Sequence, residues 1–452
     1  MFAKARNFWE RMTQVINERG FFVLVLRCFL FTLSIPITAI VLLIWPFHKI
    51  RFINLYTSRI GEYALNMQVM LCTLEAGDYP EEKNCSHFFF AQYHTKISNT
   101  FFHKLCGRSI TVVTPAVLWS YVDRILTTIL DKRYVTAFKT ACEQSGQKFY
   151  KRWEYLLSKD KKQFLHFSEN EKSHGNALLT QLGIPQGKPF VCLLIRDSQY
   201  LKVQLKGQMD FDYHAYRNAS LENFVPALEY LISHGFYIIR MGKFAECPAT
   251  LSHPQFIDYA MHPLRSDFLD IYLCATCSFF ISTNTGLDGV ASAIFNKPLL
   301  STNFIPSDFR SALAWHLAIP KKVFCKNTSE FVPYHYYYQD YFECRENKNP
   351  GEDPRALMFK LWKKRGWYLQ ENSPDEILQG TKEMLKIVQH QYHETDLMKK
   401  MQGDFWNSFP VEIPYHFSSD DKIKMRISDY FLNKNQDLFC NNTTQQEKRL
   451  PV

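Results

Sequence analysis

The chain of 452 residues lacks the short glycine signatures of the commonest nucleotide sites. No Gly-x-x-x-x-Gly-Lys-Ser/Thr occurs and no Gly-x-Gly-x-x-Gly, which excludes a Walker phosphate loop and the usual dinucleotide fingerprint. A Lys/Arg block with interleaved aromatics is also missing, so the net charge of +9 is not the footprint of a nucleic-acid groove. Twelve cysteines are present, but they are scattered through apolar runs without regular spacing, which fits reduced thiols better than a disulfide framework. Cys274 and Cys277 have redox or zinc spacing with no second Cys/His pair at zinc-finger distance, and read as core residues. The Asp-x-Asp pair Asp210/Asp212 falls in a polar connecting stretch, so no metal site is expected. On a cytosolic reading, the Asn-x-Ser/Thr triplets at Asn84, Asn218, Asn327 and Asn442 carry no glycan.

What is present begins at the N-terminus. Residues 1–51 hold seven Lys/Arg (Lys4, Arg6, Arg11, Arg19, Arg27, Lys49, Arg51) against Glu10 and Glu18, a local excess of +5. Inside that basic frame, Cys28 to Phe47 run for 20 residues without a charge, long enough to cross a bilayer. Positive charge on both flanks argues against a simple crossing, and an in-plane or re-entrant helix hinged near Pro36 fits better, with Trp45, His48 and Lys49 at the interface. A buried core helix is the alternative. The late start and the absence of a small-residue cleavage site argue against a signal peptide.

Length and composition suit two domains plus extras. Strand and helix patterns alternate along the chain. Strands are expected at Arg51–Tyr56, His87–Ala91 and Ile110–Thr114, with helices around 64–71, 99–105, Ala116–Leu130 and Thr136–Leu157. The polar stretch Ser158–Gly175 reads as a linker, followed by a short helix at Ala177–Leu182. A second series follows: strand Phe190–Ile195, helix Leu221–His234 stopped by Gly235, strand Phe236–Arg240, strand Phe256–Tyr259, helix Asp267–Ala275, strand Cys277–Ile281, helix Leu287–Phe295 and strand Pro298–Thr302. Strands separated by single helices give right-handed crossovers and two Rossmann-like doubly wound α/β domains. The expected division is a basic, hydrophobic segment at 1–49, an N-terminal domain at 50–184, a C-terminal domain at 185–395, and an extension at 396–452 packing across the domain junction.

In such sheets ligands bind beyond the carboxyl ends of the strands. Three ends in the second series carry anion-binding chemistry: Arg196 after the first strand, Arg240 and Lys243 after the second, and the turn Ser282, Thr283, Asn284, Thr285, Gly286, Leu287 opening a helix. Two guanidinium forks and a helix N-terminus on one rim suit a diphosphate. Each has a plainer reading: the turn as helix capping, Arg196 paired with Asp197 or Asp212, Arg240 paired with Asp258.

The series Arg196–Tyr200, Tyr216–Phe224, Leu231–Gly242, Ser266–Tyr272, Asn284–Leu287 and Lys297 to Asn303, with Arg59-Ile-Gly61 before it and Glu371–Glu376 after it, resembles a family of bacterial glycosyltransferases from surface-polysaccharide gene neighbourhoods. The turn is more loosely similar to the sugar-nucleotide turn of heptosyltransferases with the GT-B fold. The resemblance spans about residues 50–395 and implies a metal-independent transferase without a cofactor, moving sugar from a nucleotide-diphosphate donor to a lipid- or polysaccharide-linked acceptor at the membrane surface, on the cytoplasmic face of a bacterial inner membrane. It assigns the leaving diphosphate to Arg196, Arg240, Lys243 and the 282–287 turn, with Arg59, Arg217 and Asn218 as sugar or cleft contacts. The family often carries His after Arg-Ile-Gly; this chain has Glu62. Glu62 is the candidate catalytic base, its basicity raised by burial, or else an acidic residue stabilising a helix start. An epimerase on the same fold and an inactive membrane-bound scaffold remain as alternatives.

Overall fold

The structure, a computed structural model, describes residues 21–77, 79–93, 95–143, 163–196, 218–242, 248–249, 251–305, 316–349, 352–408 and 425–439. The chain divides into two compact units, Met1–Phe149 and Tyr150–Val452.

In the first unit the apolar segment forms one helix, Phe21–Ile44, which continues through Pro36. Three parallel strands follow, β1 (Lys49–Leu55), β2 (Cys85–Ala91) and β3 (Thr111–Val112), in the order β1-β2-β3. Between them lie the helices Ile60–Ala76 and Thr100–Cys106. The first ends where Gly77 takes a left-handed φ of 68°, and the second begins where Asn99 accepts from the Phe102 N–H at 2.7 Å. Ala116–Leu130 packs against the sheet through Val122, Leu126 and Leu130, around Phe52 and Phe90. Of the helix expected over Thr136–Leu157, the described part is Ala137–Glu143; the remainder lies outside the described residues.

The second unit is built on strands β4 (Phe190–Leu194), β5 (Tyr237–Arg240), β6 (Phe256–Ile257), β7 (Phe279–Ser282), β8 (Leu299–Phe304) and β9 (His316–Pro320). A small antiparallel sheet follows, β10 (Lys322–Cys325) between β11 (Glu330–Val332) and β12 (Trp367–Gln370). A last short strand, β13 (Arg426–Ile427), returns to the main sheet, whose seven strands run parallel in the order β13-β9-β8-β7-β4-β5-β6. Strands β4, β7, β8 and β9 are buried at every position, which is why they read as continuous apolar runs. From β4 the chain winds outward through β5 and β6, then returns to β7 on the other side of β4 and winds the opposite way. The reversal between β4 and β7 is the topological switch point of a doubly wound sheet.

Four features depart from the sequence expectations. The stretch Ser158–Gly175, expected as a linker, is helical from Glu169 on: Ser168 and Glu171 form a reciprocal capping box and start the helix Glu169–Gln181. Gly175 is a packing residue in that helix, because an added Cβ would stand 2.3 Å from the Tyr272 ring. The ring is held in place, since its hydroxyl donates to Asn176 Oδ1 at 2.9 Å with Lys172 O also within reach at 3.2 Å. Gly175→Ala is therefore expected to cost about 1–3 kcal/mol by overpacking, read as a lowered urea midpoint. Second, Leu221–Phe224 is a 3-10 turn, and the α-helix starts at Val225 with Pro226 in its first turn. Third, the helix after β7 is α over Gly286–Gly289 and then a π turn over Val290–Ile294. Fourth, the sequence after 396 belongs to the second unit's own core: helix Asp396–Asn407 buries Phe405, and Phe431 and Phe439 join the same cluster.

Candidate functional site

At the switch point the carboxyl ends of β4 and β7 are stitched together. The Thr283 N–H donates to Leu194 O at 3.2 Å, and the Arg196 N–H donates to Thr283 Oγ1 at 2.9 Å. Ser282 and Thr283 are fully buried. Their hydroxyls hold the turn rather than facing an incoming ligand. Asn284 takes a left-handed φ of 58°, a conformation Asn tolerates, and turns the chain into the helix.

That helix start is already capped by its own carboxylate. Asp288 Oδ2 accepts from the Thr285 N–H at 2.7 Å and from Ser282 Oγ at 2.8 Å, and Thr285 returns the capping-box bond. The capping reading of the turn is the one these contacts show. It is a built cap, and the first two helical N–H groups, on Gly286 and Leu287, are those the helix geometry leaves for another acceptor.

Arg196 is half-buried at the end of β4, and its carbonyl accepts from the Ala219 N–H at 3.4 Å. Arg240, at the end of β5, donates to Asp258 Oδ2 at 3.0 Å, with the two side chains 14% and 21% exposed. The same oxygen accepts from the Ala249 N–H at 2.8 Å. The pairing that the sequence offered as Arg240's plainer role is the one the fold makes, and much of its charge is neutralised there. Lys243 and Arg217 lie outside the described residues, as do Asp210 and Asp212.

Asn218 engages the rim through its backbone: its carbonyl accepts from Lys321 Nζ at 3.2 Å. Lys321 follows β9, on the same carboxyl edge, and is buried. Burial pushes its amine down to about 8, with Glu371 opposing the shift. Glu371 Oε2 in turn accepts from the Ser220 N–H and Asn223 Nδ2, each at 3.0 Å. Lys321 and Glu371 thus pin the segment 218–223 that reaches Arg196. Asn303 and Asn372 exchange backbone-to-side-chain bonds at 2.5 and 2.9 Å, and Asn372 Nδ2 donates to Pro320 O at 2.8 Å, tying the ends of β8 and β9 together. Lys321 carried no signal in the sequence, because a lone Lys after an apolar run resembles any strand end.

In the first unit, Glu62 stands in the opening turn of Ile60–Ala76 with Arg59 Nη1 at 3.3 Å; the two side chains are 37% and 48% exposed. Glu62 is thus only partly buried, and Arg59 is engaged with it. A second titratable pair lies nearby in the chain's topology. Tyr63 OH and His103 Nδ1 are 2.8 Å apart, on the two helices that leave the carboxyl ends of β1 and β2. Burial lowers the His103 pKa and drives that of Tyr63 well up, so a neutral imidazole faces an intact phenol at pH 7. Sequence reading missed His103, which sits in an aromatic helix with no motif around it. Among the described residues no group of three or more His, Cys, Asp or Glu is placed to hold a metal ion.

No protein-family model matches the sequence, and no curated protein matches it. Solved structures similar to it include glycosyltransferases. A glycosyl transferase family 9 protein from Veillonella parvula DSM 2008 is 11% identical over 56% of this chain and 79% of its own, with a TM-score of 0.31. The dodecameric iron-containing heptosyltransferase TibC, solved with ADP-D-beta-D-heptose, is 12% identical over 75% of this chain and 77% of its own, with a TM-score of 0.33. The E. coli heptosyltransferase WaaC with ADP is 13% identical over 57% of this chain and 89% of its own, with a TM-score of 0.27. Likenesses this shallow assign neither family nor activity to the chain.

Proposed function

We propose that this chain is a glycosyltransferase of GT-B type, with the acceptor domain in the unit Met1–Phe149 and the nucleotide-sugar donor domain in the unit Tyr150–Val452. The observation that carries the reading is the switch point, where Arg196 and the 282–287 turn are bound to each other at the carboxyl ends of adjacent strands. The leaving diphosphate would lie across that junction. Arg196 supplies a planar pair of donors, the N–H groups of Gly286 and Leu287 supply two more, and Lys321 adds positive potential along the rim. Arg240 and Lys243 contribute at longer range. The base that deprotonates the acceptor is Glu62 or His103, with Arg59, Arg217 and Asn218 left for sugar or cleft contacts. The acceptor is lipid- or polysaccharide-linked and presented at the cytoplasmic face of a bacterial inner membrane.

The Asp288 carboxylate in the turn favours a second reading, a scaffold without catalysis, because it places negative charge where the donor phosphates would sit. Incubation of the full chain with a panel of nucleotide sugars separates the possibilities. Slow release of nucleoside diphosphate, unchanged by a chelator, is the expected outcome; an isomerised sugar would make the protein an epimerase, and absence of both binding and turnover would leave the scaffold.

A further inference from the structure

The helix Phe21–Ile44 has its polarity reversed relative to a surface helix of a water-soluble domain. Its inward stripe holds Ser34, Thr38, Val41 and the following Trp45, all buried, packed along Ala116–Leu130. Ser34 and Thr38 satisfy their hydroxyls within the helix, on Phe31 O at 2.6 Å and Ser34 O at 2.7 Å, so they pack as small residues. The Phe31 ring meets Tyr121 edge-on at 5.4 Å, and Trp45 meets Tyr134 at 5.6 Å. The opposite stripe is the more apolar one and is open: Phe22 is 85% exposed, Phe29 62%, Leu43 74% and Phe47 90%, with Leu26, Leu33 and Ile40 between them.

Contact from Phe31 to Trp45 fixes the second half of the helix along the body of the first unit. Were the helix to stand across a bilayer, Ala116–Leu130 would enter the hydrocarbon beside it, carrying exposed Arg124 and half-buried Asp123. A helix lying flat meets no such cost, because only its outward stripe leaves water. At its carboxyl end, exposed Lys49, Lys132 and Arg133 outnumber exposed Asp131. The Lys132–Arg133 turn is held beside the helix end, since the Arg133 carbonyl accepts from Arg51 Nη1, whose guanidinium lies 5.2 Å from the Trp45 ring.

We infer that the outward stripe of Phe21–Ile44 is a monotopic docking surface that lies in the plane of an anionic bilayer, with Lys49, Lys132 and Arg133 on the lipid headgroups. The occupant is a lipid surface, and the helix does not span it. The inference rests on the two helix faces and not on glycosyl transfer, and its readout is binding.

The test uses the full chain and vesicles of phosphatidylcholine with or without about 30% phosphatidylglycerol. Binding is expected to be stronger to the anionic vesicles and to fall about fivefold or more from low to high salt. F29D/L43D should lose binding to both by about tenfold or more, and K132E/R133E should lose only the anionic preference, each with an unchanged circular dichroism spectrum. Depth is read by brominated-lipid quenching of an added indole in L26W, L33W and L43W, as a difference from the parent chain. Equal, shallow depths are expected. A deep L33W between two shallow neighbours means a spanning helix and overturns the inference, as does absence of vesicle binding with a dimer that F29D/L43D dissociates, in which case a second copy covers the stripe.

Discussion

Glu82→Ala is expected to destabilise the first unit by about 3–5 kcal/mol, because it strands a buried guanidinium. Arg51 sits inside β1 at 1% exposure, and its charge is met by Glu82, 3.1 and 3.2 Å from Nε, and by the carbonyls of Arg133 and Tyr134. Glu82 also takes Thr136 Oγ1 at 2.7 Å and His87 Nε2 at 3.0 Å, so one carboxylate joins β1, β2 and the segment after Ala116–Leu130. Burial pushes its pKa up, but hydrogen bonds from His87, Thr136 and Arg51, with the charge of Arg51, outweigh that and hold it at about 2. A folded pKa below the unfolded one means the stabilisation is complete above the unfolded value of 4.5 and is lost as pH falls toward about 2. Hydrogen exchange of residues 49–55 and 85–91 reads this unit separately from the other. Protection there should collapse in E82A at pH 7 and fade in the parent chain between about pH 4.5 and pH 2. The double variant R51M/E82M should lose less than the two single losses combined, since it removes both charges together. Unchanged exchange in E82A would mean that water already compensates Arg51.

Arg51 also marks where sequence reading stops. Counted along the chain, it belongs to the basic frame around the apolar segment; folded, it is buried and neutralised, and the exposed positive charge at the helix end is that of Lys49 with Lys132 and Arg133, which lie far along the chain. Sequence periodicity locates elements because it is local, and the strands of the second unit were legible for that reason: Phe190–Leu194 and Phe279–Ser282 are apolar on both faces. The switch point was legible through a rule about strand ends, which brought Arg196 and the 282–287 turn to one rim without coordinates. Which partner each side chain takes was not legible, because partners are distant in sequence. Asp258 was visible as one option for Arg240 and Asp288 was not singled out, and only the fold decides that both carboxylates are engaged. The same holds for Gly175, a linker glycine by composition and a contact with Tyr272 by packing.

The two rim arginines should differ in a binding experiment, because Arg196 stands at the switch point itself and Arg240 ends the next strand out. Arg196→Ala is expected to weaken a nucleoside diphosphate about tenfold to hundredfold, or about 1.4–2.7 kcal/mol, the worth of a charge-assisted fork on a phosphoryl group. Arg240→Ala should weaken it less than about threefold, because a guanidinium with Asp258 at 3.0 Å presents little net charge to a ligand. Its larger effect falls on stability. Asp258 is left mostly buried with the Ala249 N–H on one oxygen, a loss of about 1–3 kcal/mol. Asp288→Asn supplies the sign test for the turn: it removes negative charge from the helix start while keeping an acceptor for the Thr285 N–H, so diphosphate should bind more tightly even as the cap weakens. Calorimetry on the parent chain and the three variants, each at a temperature well below its melting transition, measures all of this. If R196A and R240A lose affinity equally, the Arg240–Asp258 pair opens on binding and the site is wider than the switch point. If D288N binds no better than the parent, the phosphates do not approach the helix N-terminus, and the turn is a cap alone.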